Sequence, residues 1–265
     1  MLRLSHKLIS GLRELPYWYK YISYFENWPT YVLDWLGLIR SGEIITYHLR
    51  SGIKLKLRAG TADRIAMSNI MVKNSYMLSR SDVQKCNTAI DIGAHIGVFS
   101  ILLAFLAKNI KVYAYEPEPS NYALLLENIK TNNLESKVYP SKLAVSDSKG
   151  FVELYLHSES IGHSMFIHLP KSYRIKVPSI TLDDIFRDNN ITTCDLLKIN
   201  AEGAEYPILL NTSKQVLTAT RTICVQCHYL SEKYNCLTIE KFLLSRGFKV
   251  IRKGQFIKAR RQNVV

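Results

Sequence analysis

No stretch of this 265-residue chain reaches the roughly 18 consecutive apolar residues that a membrane-spanning helix requires, and the best run, residues 97–107, has the length of a buried helix. Cysteine is scarce and odd in number, five in all, which argues against a disulfide framework in a chain long enough to bury its own core. Met1 to Lys7 lack an apolar segment followed by a small-residue cleavage site, so the sequence predicts no export and a cytoplasmic setting. Acidic residues are missing altogether from the last 25 positions. No internal repeat or low-complexity tract is present, and the G-x-G-x-x-G signature of dinucleotide binding is absent.

Two of the cysteines still need weighing. Cys224-Val225-Gln226-Cys227-His228 matches the C-x-x-C-H pattern of haem attachment. Residues 222–225 read as a buried strand, however, and cysteines three apart on a strand point to opposite faces, so both are read as small buried hydrophobes.

The charge is unevenly spread. The formal net charge is +13, yet residues 86–240 hold 14 basic and 16 acidic groups. Residues 1–85 hold 13 basic and 6 acidic groups, and the last 25 residues hold eight basic ones. The excess therefore lies on the flanks, where it suits an acidic glycan, a membrane surface or nucleic acid, or simply a solvated face.

Residues 11–36 are crowded with aromatics: Tyr17, Trp18, Tyr19, Tyr21, Tyr24, Phe25, Trp28, Tyr31 and Trp35. Packing against the main domain is the favoured fate, and peripheral membrane contact through an interfacial helix is the other. Residues 45–50 and 53–58 alternate around Ser51-Gly52 as a hairpin, with outward lysines protecting its edge. Helix and loop are expected over 61–76.

From residue 87 strands alternate with helices. Strands are expected around Asp91, at 111–116, from Val138-Tyr139 through Ala144-Val145, at 196–199 and at 223–225; an antiparallel insertion begins at Gly150, and a hairpin at 248–259 closes the chain. The expected fold class is α/β: a Rossmann-like, doubly wound, mostly parallel seven-stranded sheet with an antiparallel C-terminal strand and a small N-terminal helical and β-hairpin extension. The extension is assigned to residues 1–85 and the core domain to 86–261.

Ala89-Ile90-Asp91-Ile92-Gly93-Ala94-His95-Ile96-Gly97 reads as a buried strand, a tight glycine turn and a helix start. Glycines there let a ligand approach the backbone, beside the free N–H groups of the helix end. Asp91 would repel a diphosphate but suits an ammonium group, which favours S-adenosylmethionine over a dinucleotide. Glu116, 19 positions after Gly97 at the end of the next strand, suits the two hydroxyls of a ribose.

With these segments in hand, the chain resembles the FkbM-type family of S-adenosylmethionine-dependent methyltransferases. The resemblance rests on Ile90 to Gly97, Ala114-Tyr115-Glu116-Pro117, Leu143-Ala144-Val145-Ser146-Asp147, Thr181-Leu182-Asp183-Asp184 and Leu197-Lys198-Ile199-Asn200-Ala201-Glu202-Gly203-Ala204-Glu205, and it covers roughly residues 86–250. Thr61-Ala62-Asp63 and Tyr76 are similar to the leader that often precedes this domain. The resemblance implies methyl transfer, commonly to a hydroxyl of a sugar, a glycan or a small natural product. The cofactor-binding set it marks out is Asp91, Gly93, Ala94, His95, Gly97, Glu116, Pro117 and Ala144.

Asn200 departs from the family pattern, which usually has Asp there; an amide hydrogen-bonds but cannot serve as a base. Glu202 is the first candidate for orienting or deprotonating an acceptor hydroxyl, and His228, after the fifth core strand, is the second. Glu205 stands with Glu202 near the expected helix start. His95 is expected to matter through its backbone, His163 belongs to an insertion suited to covering an acceptor, and Asp183 and Asp184 are expected to cap a helix. No cluster has convincing metal-ligand spacing. Two alternatives stay open: an RNA-directed enzyme using the basic flanks, although the Asn/Asp-Pro-Pro-Tyr/Phe block of base-directed enzymes is missing, and a non-catalytic nucleotide-binding homologue, for which Asn200 is the argument. A dehydrogenase is disfavoured by Asp91.

Overall fold

The computed structural model describes residues 18–156 and 173–262. His163 and Tyr17 lie outside the described residues. The chain divides into two compact units, residues 1–74 and 75–265. The division falls eleven residues before the expected boundary at 85, because a short helix at Arg80–Gln84 belongs with the larger unit: its Asp82 is paired with Lys258 at 2.7 Å.

In the smaller unit, helices at Trp18–Tyr24 and Trp28–Leu36 precede strands β1 (Ile44–His48) and β2 (Lys54–Arg58), then a helical segment at Asp63–Met67 that widens into a π-turn over Ser68–Val72. β1 and β2 form the expected antiparallel hairpin, with Gly52 at φ +96° in the turn. The aromatic segment splits in two. Tyr21, Phe25 and Tyr31 are buried with Tyr47, and the Tyr21 and Tyr31 rings stack at 4.2 Å. Tyr19, Tyr24 and Trp28 stay exposed.

A buried carboxylate organises that aromatic core. Asp34 accepts hydrogen bonds from Tyr47 Oη at 3.0 Å and Gly60 N at 2.6 Å, and its Oδ2 lies 3.4 Å from Arg64 Nε. Two hydrogen-bond donors and one cation thus converge on one side chain.

The larger unit is built on a seven-stranded sheet in the order β11-β12-β10-β9-β3-β4-β5. Its strands are β3 (Thr88–Ile92), β4 (Lys111–Tyr115), β5 (Val138–Ser141), β9 (Cys194–Ile199), β10 (Thr220–Gln226), β11 (Phe248–Lys253) and β12 (Phe256–Arg261). The five strands from β10 to β5 run parallel and β12 runs against β10. The central strands are apolar on both faces, as a sheet covered on two sides requires; Ile90, Leu197 and Ile223 are wholly buried.

The expected third strand is two. β5 ends at Ser141, and β6 (Ala144–Ser146) joins a separate three-stranded sheet with β7 (Gly150–Leu156) and β8 (Tyr173–Thr181). Thr181 and Asp184 form the expected capping box at the helix Leu182–Asp188. The C-x-x-C-H cysteines are buried free thiols, and burial pushes Cys224 up to about 12. Among the described residues no helix is long and apolar enough to cross a membrane.

Replacing Asp34 with Ala leaves Tyr47 and Gly60 without their acceptor and Arg64 without its counter-ion inside the smaller unit. The expected loss is about 2–4 kcal/mol in chemical denaturation of the full chain, with partial rescue by Asp34→Asn.

Candidate active site

The parallel strands end at one edge of the sheet, and the loops leaving β3, β4, β9 and β10 carry the residues singled out by sequence. After β3 the chain turns through Gly93 (φ +71°), His95 (φ +55°) and Gly97 (φ +89°) into the helix Val98–Leu106. These left-handed residues reverse the backbone within five positions. Glycine is required here for a reason other than ligand approach. A Cβ on Gly93 would come within 1.8 Å of the Asn200 carbonyl oxygen, and one on Gly97 within 2.5 Å of Leu125 Cδ1. Gly93 is therefore a packing requirement set by backbone, whereas at Gly97 the Leu125 tip can move and the left-handed φ of +89° is the constraint.

Asp91 also departs from expectation. Its side chain is wholly buried, with Oδ1 at 2.8 Å from Lys198 Nζ and Oδ2 accepting from Ser100 Oγ at 2.7 Å. A charge neutralised inside the protein is not available to a ligand ammonium. Lys198 further donates to the carbonyls of Gly93 at 2.7 Å and Ile92 at 3.3 Å, which ties the end of β9 to the glycine turn.

Glu116, at the end of β4, faces the same turn. Its Oε2 accepts from His95 N at 2.7 Å and its Oε1 from Glu118 N at 3.0 Å. Burial raises its pKa above the ordinary carboxylate range, against the pull of these two amides. Each oxygen keeps a lone pair beyond its amide contact. Ala94 is buried in the turn, its N–H donating to Tyr115 O at 3.0 Å, and Pro117 is half-buried between Glu116 and Glu118. Glu118, which sequence reading passed over, caps the helix Pro119–Thr131 through Ser120 and Asn121. Ala144 is buried with Leu154, Leu156 and Val177 in the small sheet, so its side chain packs there.

The segment after β9 carries Asn200, Glu202 and Glu205. Asn200 N donates to Ile92 O at 3.0 Å, while its side-chain Oδ1 is buried with no hydrogen-bond donor among the described residues. Glu202 sits at φ +48°, a strained conformation for a residue with a side chain. Glu205, wholly buried at the start of the helix Glu205–Asn211, accepts from Gly203 N at 2.7 Å and Ala201 N at 3.2 Å.

His228, after β10, is clamped between the two acids. Its Nδ1 lies 2.6 Å from Glu205 Oε1 and its Nε2 lies 3.2 Å from Glu202 Oε2. A carboxylate against Nδ1 requires the proton there, so Nε2 and Glu202 face each other across a gap that takes one more proton. Burial disfavours the charged imidazole, but the Glu205 hydrogen bond and the two carboxylate charges outweigh it, and the net direction is up from 6.5. Glu202 is raised as well, by burial first and by Glu205, with His228 opposing. Tyr206 Oη donates to the His228 carbonyl at 2.5 Å and fixes the loop.

Glu202 and Glu205 lie 23 or more positions before His228 in the sequence, and the fold brings all three into contact. Tyr76 is the residue whose place was not foreseen. It is buried between the rings of Phe99 and Phe256, and burial, then the charges of Asp91, Glu205 and Glu202, hold its hydroxyl protonated. Among the described residues no group of three or more acidic, histidine or cysteine side chains is placed to hold a metal ion.

Two outcomes follow from this geometry. Lys198→Met strands a buried carboxylate and is expected to cost about 3–5 kcal/mol in denaturant unfolding, much of it recovered in the double variant with Asp91→Asn. The His228 ring is expected to titrate by NMR above 6.5, and Glu205→Gln brings its midpoint down. Because the folded value is the higher one, the stability that His228 contributes is complete below about 6.5 and is lost as pH rises through the folded midpoint.

Comparison with known proteins places the chain in a family. The profile of the methyltransferase FkbM domain matches residues 91–250. Methyltransferase sdnD of Sordaria araneosa is 26% identical over 193 residues, covering 62% of this chain and 74% of that protein. The 31-O-demethyl-FK506 methyltransferase FkbM of Streptomyces tacrolimicus is 21% identical over 212 residues, 69% of this chain and 80% of that protein. A tRNA (guanine(37)-N(1))-methyltransferase of Dictyostelium discoideum is 32% identical over a shorter 120 residues, 45% of this chain and 24% of that protein. The match of the domain profile, spanning the glycine turn, Glu116, the Lys198–Glu205 block and His228, establishes that the chain belongs to the FkbM methyltransferase family.

Proposed function

We propose that this methyltransferase uses S-adenosylmethionine to methylate a hydroxyl group of a neutral small molecule, a sugar, a glycan or a polyhydroxylated natural product. The observation that carries the reading is the clamp of His228 between Glu202 and Glu205 at the edge where the parallel strands end. A hydroxyl acceptor has a proton to lose, and a carboxylate with a raised pKa beside an imidazole is a sink for it.

The residues present fit the donor's nucleoside end. Glu116 would hold the ribose hydroxyls with the lone pairs left over from its two amide contacts, and the backbone of residues 94–97 would lie against the rest. Asp91, committed to Lys198, takes no part in holding it. S-adenosylmethionine, when bound, supplies a methyl group on an electrophilic sulfonium. Glu202 accepts the acceptor's proton, His228 shares it through Nε2, and Glu205 fixes the ring through Nδ1. Asn200 Oδ1, a buried acceptor awaiting a donor, orients the hydroxyl without deprotonating it.

The choice against RNA rests on charge. Glu116, Glu202 and Glu205 gather at the catalytic edge, and residues 86–240 are slightly acidic, so a phosphate backbone meets repulsion there. The name of the Streptomyces relative, an O-methyltransferase by its substrate, points the same way.

The test is methyl transfer from labelled donor to a panel of sugars and polyhydroxylated macrolides beside total RNA. Label is expected on a hydroxyl compound; label in RNA alone overturns the reading. Glu202→Gln is expected to lower kcat by about 100-fold with little change in donor KM. His228→Gln removes the charge that lowers the Glu202 pKa, so the acid limb of the pH–rate profile is expected to move to higher pH.

A further inference from the structure

The opposite edge of the large sheet, where β9 and β10 begin and β12 ends, carries a groove of about 700 Å³ between those strands and the Arg80–Gln84 helix. It lies a strand's length, on the order of 20 Å, from the catalytic edge. Its volume is that of a small-molecule site.

The charges in it do not cancel. Arg221 and Asp195 neutralise each other at 2.7 Å, and the other Asp195 oxygen is occupied by the N–H groups of Asn87 and Thr88. Asp82 is taken by Lys258 at 2.7 Å, which leaves Arg260 only a longer contact of 3.7 Å. Arg261 spends its guanidinium on backbone carbonyls of Leu217 and Thr220 and has no carboxylate partner among the described residues. Lys85, exposed on the rim, makes no ion pair among the described residues.

The strand register adds to this excess. Arg260 is paired directly with Lys249 on β11 and with Thr222 on β10, so two cations stand side by side on one face of the sheet. Like charges in that relation repel unless an anion lies between them. Hydroxyls of Ser81, Thr193 and Thr218 line the same groove and supply neutral donors.

We propose that this groove is a second binding site, for a small molecule bearing a di- or triphosphate, held by Lys85 and Arg260, with Lys249 beside Arg260 on the neighbouring strand. Several phosphate oxygens on one ligand match several separated cations, and a groove of about 700 Å³ matches a ligand of small-molecule size. The site is independent of the methyl-transfer reading, since it shares no residue with it.

Isothermal titration of the full chain with tripolyphosphate tests it. Saturable one-to-one binding is expected, weakened about tenfold or more by Lys85→Glu and by Arg260→Glu, and unchanged by Lys130→Glu on a distant helix. Lys85→Met, which removes only one exposed charge, is expected to weaken it in the same direction and guards against misfolding of the reversals. S-adenosylmethionine binding is expected to be the same in all four variants. Absence of saturable binding, or equal loss in Lys130→Glu, overturns the proposal. So does a short oligouridylate that binds more tightly than tripolyphosphate and is lost in the same variants, which makes the groove an RNA contact.

Discussion

The buried pair between Lys198 and Asp91 is the interaction on which the rest of the larger unit depends. It joins two neighbouring parallel strands at the end where the site forms, and each partner has a second duty. Asp91 holds Ser100 on the helix Val98–Leu106, and Lys198 holds the carbonyls of Ile92 and Gly93. A charge pair in an apolar interior is a weak source of net stability but a strict specifier of geometry, because each misplacement exposes an uncompensated ion. Here the specified geometry is the spacing between the glycine turn and the loop that carries Asn200, Glu202 and Glu205.

That spacing explains why so many backbone positions at this edge are left-handed. Gly93, His95, Gly97, Glu202 and Gly203 all have positive φ within two short loops. Strain at His95 and Glu202, which are not glycine, persists because the surroundings over-determine it. The His95 amide is held by Glu116, and the segment around Glu202 by the two backbone amides bound to Glu205. The carboxylate of Glu202 is presented by a loop that Glu205 holds through those two amides.

Much of this was legible in the sequence, and the limits were physical. Apolar runs at 89–92 and 196–199, broken only by Asp91 and Lys198, and an unbroken one at 223–225 read as strands, and their alternation with helices reads as a doubly wound sheet, because periodicity and burial are local properties. The break between β5 and β6 was missed because Pro140 and the short apolar pairs on either side carry no signal for a change of sheet. The role of Asp91 was misread for a deeper reason: whether a carboxylate faces ligand or lysine depends on a partner 107 positions away. His228 and Glu205 were each flagged, yet no spacing rule joins residues on adjacent parallel strands' loops. Tyr76 lies in a loop with no periodic pattern, and only its packing against Phe99 and Phe256 reveals it.

The contact that forbids a side chain at Gly93 is made by the backbone oxygen of residue 200, not by its amide group. The scaffold therefore reads the position of that residue and is blind to its identity. Asp and Asn are nearly isosteric, so the chemistry at this point can change by a single substitution while the turn, the ion pair and the strand ends stay as they are. What holds the loop and what the loop presents are thus set by different atoms of one residue: the backbone oxygen of residue 200 packs against the turn, and its side chain is left for whatever lies beside it.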